Sequence, residues 1–232
     1  MSTKRIRLWD LPTRLFHWLL VLCIVAAVVS GQLGGNLIEW HGRIGLFIVG
    51  LIVFRLVWGL IGSTYARFAQ FFPTPAKLKA YLRGEWRGVG HNPLGAFSVF
   101  GLLALVGLQV STGIFANDDI TFFGPLFALV SKDVSNQLTG LHKLSSNFLF
   151  GLIGLHLAAI AFYTRVKKDK LVQPMVLGWK ETDEGESAQG GGFLSLVVAL
   201  CVAAGAVYAA SGALLPAPPP PAPVPAVPAP SW

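Results

Sequence analysis

Four histidines fall inside long apolar runs of the chain: His17, His41, His142 and His156. Ionisable side chains in such runs are rare and mark function. His142 and His156 are 14 residues apart. At 3.6 residues per turn that spacing turns about 1400°, some 40° short of four full turns, so both rings leave one helix face about 21 Å apart. One helix thus presents an imidazole at each of two depths. His17 and His41 each lie near the start of an earlier run, and because successive spans cross in opposite directions they supply a partner at each depth, His17 for His156 and His41 for His142. Two imidazoles facing each other across a gap between helices are what a six-coordinate b-type haem requires. A lone histidine near a helix end is more often a packing residue; four matched in depth point to axial ligation.

The elements that must position these rings follow from composition. The 232 residues are 53% hydrophobic and only 12% charged, about half the charge of a soluble domain, so the chain cannot clothe a water-soluble globule and reads as a membrane protein. A bilayer core of about 30 Å takes about 20 apolar residues. Five segments meet that length: Leu15 to Leu33, Ile38 to Ile61, Leu94 to Phe115, Leu141 to Tyr163 and Phe193 to Leu215. Asn92 and Pro93 signal the start of the third, a capping residue followed by proline at the first helical position. The first run is longer than a secretory signal core and carries His17, so it reads as a retained span. Cys23 and Cys201 lie in apolar runs and read as small hydrophobes, not as a disulfide framework. The organisation expected is a four-helix unit over 1–180, a flexible, polar, glycine-rich linker at 181–192, a fifth span at 193–215 and a Pro/Ala tail at 216–232.

The net charge of +7 acquires its meaning from placement. Lys4, Arg5, Arg7 and Arg14 precede the first span; Arg67, Lys77, Lys79, Arg83 and Arg87 follow the second; Arg165, Lys167, Lys168, Lys170 and Lys180 follow the fourth. These are 14 of the 18 basic residues. The opposite side holds only Arg43, Lys132 and Lys143. Basic residues stay on the cytoplasmic side, which puts the N-terminus in the cytoplasm and the C-terminus in the periplasm, as expected of a multi-pass protein of a bacterial inner membrane. The outer loop, 116–140, carries Asp118, Asp119 and Asp133, and its apolar run Phe122 to Val130 is expected to lie along the interface. Arg55, 14 residues after His41, shares that residue's helix face at the inner level. Arg55, Arg43 and Arg14 are candidate partners for haem propionates, snorkelling being the simpler reading for Arg55. His91, just before Asn92, is expected to be a solvated interfacial residue.

These residues sit in recognisable strings. W-D-L-P-T-R-L-F-H-W (Trp9 to Trp18), E-W-H-G-R-I-G (Glu39 to Gly45), R-L-V-W-G (Arg55 to Gly59), H-N-P-L-G (His91 to Gly95), T-G-I-F-A-N-D-D-I (Thr112 to Ile120), G-L-H-K (Gly140 to Lys143), G-L-H (Gly154 to His156) and P-M-V-L-G-W-K (Pro174 to Lys180) occur in order. Over Arg7 to Lys180 the chain resembles the prokaryotic cytochromes b561, the di-haem family that includes the b-type cytochrome subunits of nickel-iron hydrogenases. The resemblance implies an all-α membrane protein, a four-helix transmembrane haem-binding bundle. It also implies two haems b on histidines matching His17, His41, His142 and His156. The fifth C-terminal transmembrane helix and the tail extend beyond that pattern.

The function expected is transmembrane electron transfer, an electron-transport subunit more than a stand-alone enzyme. The resemblance implies exchange with quinone or quinol on one side and with a c-type cytochrome or another redox subunit on the other. One alternative keeps the haems but oxidises an outer substrate such as superoxide and reduces quinone, drawing on Arg43, Lys132 and Lys143. A non-haem reading, as a di-iron enzyme or metal transporter, lacks the clustered histidine boxes or intramembrane carboxylates it would need.

Overall fold

In hydrocarbon no water is present to bond a bare N–H or C=O, so a spanning chain must satisfy its backbone internally, as a helix does. The computed structural model describes residues 4–216; the Pro/Ala tail from 217 onward lies outside the described residues. In chain order the elements are β1 (Lys4–Arg7), α1 (Leu11–Leu33), α2 (Ile38–Ile61), the short α3 (Phe68–Phe71) and α4 (Pro75–Leu82), α5 (Pro93–Gly113), α6 (Lys132–Arg165), α7 (Val172–Leu177), β2 (Trp179–Thr182) and α8 (Phe193–Ala210). The five long helices α1, α2, α5, α6 and α8 are apolar and long enough to cross a membrane. The protein is an all-helical membrane bundle.

The helix starts obey local chemistry. Asp10 caps α1 by accepting from the Thr13 N–H at 2.6 Å, and Asn92 caps α5 by accepting from the Gly95 N–H at 2.7 Å, with Pro93 next. Ser131 caps α6. That helix begins nine residues ahead of the expected span, because its polar first turns bond the preceding loop instead of meeting lipid. Ser135 donates to the Phe115 carbonyl at 2.6 Å and Thr139 receives the Asn117 N–H at 3.1 Å. The α8 helix stops at Ala210, short of the expected Leu215, where the chain turns through Gly212 in the left-handed region.

α2 is the central helix, packed against α1, α5 and α8. One apolar cluster joins Phe16, Leu51, Phe54 and Trp58 to Ala199 and Ala203 of α8; a second joins Ile48 and Ile52 to Val106 and Leu149. Small alanines let α8 lie close on α2, so the fifth span is part of the bundle. Leu22, Leu33, Phe148 and Leu155 are exposed, an outward apolar belt that only lipid makes tolerable.

The end of the bundle that carries the N-terminus is closed by an unexpected ribbon. β1 and β2 pair antiparallel, Lys4 opposite Thr182 and Arg7 opposite Trp179, with the Arg5 guanidinium 3.5 Å over the Trp179 ring. The N–H groups of Leu8 and Trp9 reach the Gly178 carbonyl, Arg14 Nη1 the Val176 carbonyl at 2.5 Å and the Trp18 indole the Met175 carbonyl at 3.1 Å. The strings around Trp9 and around Gly178 are thus two halves of one contact.

The stretch 181–192, expected to be a flexible linker, is held along its length. Ala188 N–H donates to the Arg7 carbonyl at 2.7 Å, Thr64 N–H to the Gln189 carbonyl at 2.8 Å, and Tyr65 hydroxyl to the Glu186 carbonyl at 2.7 Å. Gly191 is there for closeness: its φ is +64°, and a Cβ would stand 2.7 Å from Ser63 N and 2.9 Å from Trp58 Cζ2. The glycines that composition reads as slack serve a tight approach.

Asp10 ties these parts together. Beyond its cap it accepts from the Trp58 indole N–H at 3.1 Å and from the Ser63 hydroxyl, joining the start of α1 to the end of α2. Trp58 itself is fully buried. Asp10→Ala removes the cap and strands the indole donor, and is expected to cost about 2 kcal/mol or more. The measurement is thermal unfolding in detergent followed by circular dichroism; an unchanged midpoint would show that the carboxylate holds nothing.

Candidate functional site

The structure sets His41 and His142 face to face and leaves His17 and His156 within electrostatic reach of one another at the other end. At the far end, His41 in the first turn of α2 faces His142 of α6, ring centroids 6.0 Å apart and ring planes 82° apart. Each Nδ1 meets a backbone carbonyl, His41 that of Ala27 at 2.8 Å and His142 that of Gln109 at 3.0 Å. A carbonyl only accepts, so each Nδ1 carries a proton, which leaves Nε2 as the nitrogen through which either ring could act as a ligand. Two such nitrogens about 2 Å from a shared metal put the ring centroids about 6 Å apart. Thr112 Oγ1 stands 3.3 Å from His142 Nδ1, and Ser145 donates to the Gln109 side chain.

The rings are seated by glycines on neighbouring helices. A Cβ on Gly31 of α1 would stand 2.9 Å from His41 Nδ1, and one on Gly113 of α5 would stand 3.1 Å from His142 Cε1. Gly42, Gly45, Gly140, Gly151 and Gly154 share helices with the candidate ligands. None of these meets a histidine, because the crowding comes from the helix across the gap. A cavity of about 370 Å³ opens beside the pair, among α1, α2, α5 and α6, reached by Gly45, Asn117, Phe122 and Lys143, within the range of sites for bulky ligands. Phe122, expected at the interface, lines that cavity and touches the Gly42 position.

The loop over this end is a built turn. Asp118 accepts from the N–H groups of Ile120, Thr121 and Phe122 at 2.8 to 3.0 Å, and those bonds, Ile120's foremost, hold its pKa below the usual carboxylate range. Asp119 pairs with Lys132 at 3.0 Å. The loop's acidic charge is therefore largely committed within the loop.

At the N-terminal end, His17 of α1 and His156 of α6 lie within Coulombic range of one another. His156 Nδ1 stands 3.3 Å from Ser98 Oγ of α5, whereas His17 Nδ1 is buried with no hydrogen-bond partner among the described residues. Arg55 is only 3% exposed. Its guanidinium lies 4.5 Å over the Phe68 ring, and its Nη1 is buried with no partner among the described residues. The three candidate arginines differ in outcome. Arg55 is buried at the inner level, Arg14 is tied to the Val176 carbonyl, and Arg43 is exposed, 3.8 Å from Glu39 one turn back, and is not brought to the site.

His91 is not a solvated residue. It is held between Trp9 and Phe71, each ring 4.6 Å away centroid to centroid, because the Asn92 cap turns the preceding residue under the bundle. Burial, and then the charge of Arg55, push its pKa down to about 3, so the ring is neutral, and its Nδ1 has no partner among the described residues.

Comparison with known proteins identifies the family. The model of the prokaryotic cytochrome b561 family matches residues 8–178. The chain belongs to that family. A probable Ni/Fe-hydrogenase B-type cytochrome subunit of Azotobacter chroococcum mcd 1 is 25% identical over 215 residues, 74% of this chain and 87% of the relative. That of Cupriavidus necator is 23% identical over 219 residues, 77% of this chain and 88% of the relative. For the probable Ni/Fe-hydrogenase 1 B-type cytochrome subunit of Escherichia coli K12 the match is 23% over 136 residues, 45% of this chain and 57%, a little over half, of the relative. No solved structure matches.

A b-type cytochrome family implies haem b, and the residues present fit that group. The far pair has the spacing and tautomers of axial ligands, glycine gives the rings room, and Arg55 offers an unpaired buried donor to a carboxylate. Among the described residues no three His, Cys, Asp or Glu side chains cluster to hold a bare metal ion.

Two predictions follow from this geometry. Gly31→Val should displace His41 and lower haem b absorbance per protein by about half, whereas Gly151→Ala, whose Cβ meets open space, should leave it unchanged; equal haem content in both would refute the seating role. For His91 the folded pKa of about 3 lies below the ordinary 6.5, so the unfolded chain binds its proton first. Stability is greatest above pH 6.5 and falls as pH drops toward 3. His91→Gln should flatten that fall in thermal midpoint relative to the parent; parallel curves would contradict it.

Proposed function

We propose that the protein carries electrons across the bacterial inner membrane through two haems b. His17 and His156 would hold one at the cytoplasmic end, and His41 and His142 the other at the periplasmic end. The observation that carries the reading is the far pair, two imidazoles 6.0 Å apart with both Nδ1 groups committed to carbonyls; the same helix, α6, carries His156 at a second depth. Bound haem supplies reversible one-electron chemistry. The chain's part is to fix both axial positions, which leaves no open iron site for oxygen chemistry, and to exclude water with the apolar clusters of α2, α5 and α6. Arg55 and Arg14 are the candidate propionate partners at the inner end, and Lys143, which lines the far cavity, at the outer end. The placement of basic residues supports a cytoplasmic N-terminus.

The hydrogenase cytochrome subunits among the relatives support a partner that delivers or receives electrons at the periplasmic face. A hydrogenase or a c-type cytochrome would fill that place, with quinone as the exchange partner at the cytoplasmic level. Neutral His91, with an open nitrogen beside the inner pair, is the acceptor available to a quinol hydroxyl there. The superoxide-oxidising alternative would draw on Arg43, Lys132 and Lys143; two of these stand in ion pairs, so it is not the reading adopted.

Haem stoichiometry and ligand substitution test the proposal together. The purified protein should give a dithionite-reduced b-type spectrum with about two haems per chain by pyridine haemochrome. His17→Ala and His156→Ala should remove the same haem, and His41→Ala and His142→Ala the other. If His17→Ala and His142→Ala removed the same haem, or the parent held one haem, the reading would fall.

A further inference from the structure

Where the ribbon of β1 and β2 meets the start of α1, the structure leaves a second cavity of about 740 Å³, within the size range of ligand sites. Three arginines line it, Arg5 and Arg7 of β1 and Arg14 of α1. None of them forms an ion pair among the described residues, although Glu181 stands opposite Arg5 in the ribbon. Asp10 also lines the cavity, but its oxygens already accept from the Thr13 N–H, the Trp58 indole and the Ser63 hydroxyl. The wall therefore concentrates positive charge without a counter-charge of its own. Its donors are also held in place. The Arg5 guanidinium lies 3.5 Å over the Trp179 ring, which fixes its plane and leaves its N–H edge free for an acceptor. Arg14 is anchored through Nη1 to the Val176 carbonyl at 2.5 Å, and its Nε is buried with no partner among the described residues. A buried charged donor left open is costly, and planar guanidinium forks match the paired oxygens of a phosphate.

The rim of the cavity narrows the choice of phosphate. Leu11 and Leu177 line it and are 55% and 51% exposed, and Leu15, one helical turn after Leu11, continues the same apolar surface at 52%. These leucines open the first membrane helix, so the arginines stand at headgroup level with an apolar lane leading from them into the hydrocarbon. Basic pockets at the ends of membrane helices take anionic head groups. We propose that this cavity binds the phosphate of an anionic phospholipid, held by Arg5, Arg7 and Arg14 with an acyl chain along Leu11 and Leu15. Arg14 then meets the lipid, which leaves Arg55 to a haem propionate. The lipid joins β1, α1 and the turn at Gly178, segments far apart in the chain, and fastens the corner that sets where α1 begins. The proposal needs only the membrane insertion of α1 and is independent of how the histidines are used.

The test is native mass spectrometry of the purified full chain in mild detergent micelles doped with phosphatidylglycerol or with phosphatidylcholine, paired with thermal unfolding in the same micelles. The parent should retain about one phosphatidylglycerol per chain in preference to phosphatidylcholine, and its thermal midpoint should rise with phosphatidylglycerol alone. The double variant Arg5→Gln with Arg7→Gln should lower the retained lipid at least about tenfold with haem content unchanged. Because Arg5 also packs on Trp179, Ala188→Asp serves as the second variant. It keeps all three arginines, sets a carboxylate in the cavity wall and should expel the lipid as well. Equal retention of the two lipids, or retention unchanged in Ala188→Asp, would overturn the proposal. So would stabilisation of the parent by excess inorganic phosphate as large as that by phosphatidylglycerol, which would assign the cavity to a soluble anion.

Discussion

The distance between His142 and His156 along one unbroken helix governs the rest of the molecule. A rigid rise of about 1.5 Å per residue places the two rings about 21 Å apart on one face of α6, so any partner must come from other helices at two matching depths. His41 meets the far level because α2 begins there, at Ile38, directly after the turn Gly35–Leu37. His17 meets the near level because Asp10 fixes where α1 starts. The lengths of the turns between helices are therefore as consequential for the site as the histidines themselves. A slip of one residue at Asp10 would rotate His17 by about 100° away from its partner.

Local interactions at the N-terminal end keep those starting points in place. The Asp10 carboxylate, the Trp58 indole and the Ser63 hydroxyl join two helix ends, and the Gly178 turn presses its carbonyl on the N–H groups of Leu8 and Trp9. The ribbon of β1 and β2 and the held segment 183–192 wrap the same corner. This explains why conspicuous strings at opposite ends of the family match share one surface.

The spans and the shared helix face of His142 and His156 were legible in the sequence because each follows from one-dimensional arithmetic. Apolar length gives a span, and a 14-residue spacing gives a shared face. The family motifs were legible for the same reason, as strings. What was not legible depends on which helix lies across a gap. Gly31 and Gly113 seat the rings from α1 and α5, and nothing in their local sequence distinguishes them from Gly151, whose Cβ would meet nothing. His91 was misread because its burial comes from Trp9 and Phe71, 82 and 20 residues away in the chain. The glycine-rich stretch was misread because composition reports conformational freedom in the unfolded chain, whereas Gly191 is required by a folded contact with Ser63 and Trp58. Nor does charge alone tell what the aspartates of the loop 116–140 do: Asp118 bonds three backbone N–H groups and Asp119 pairs with Lys132.

Arg55 joins the structural and chemical arguments. A guanidinium this deep in a membrane helix is costly, and only part of that cost is offset by the Phe68 ring and by Asp10 at Coulombic range. Its Nη1 remains without a partner among the described residues, and a buried donor left open costs about 1–3 kcal/mol, more for a charged group. An anionic haem edge at the N-terminal end of the bundle would recover that energy. The same contact would strengthen the folded chain by mass action. One residue of α2 thus couples cofactor retention to bundle stability.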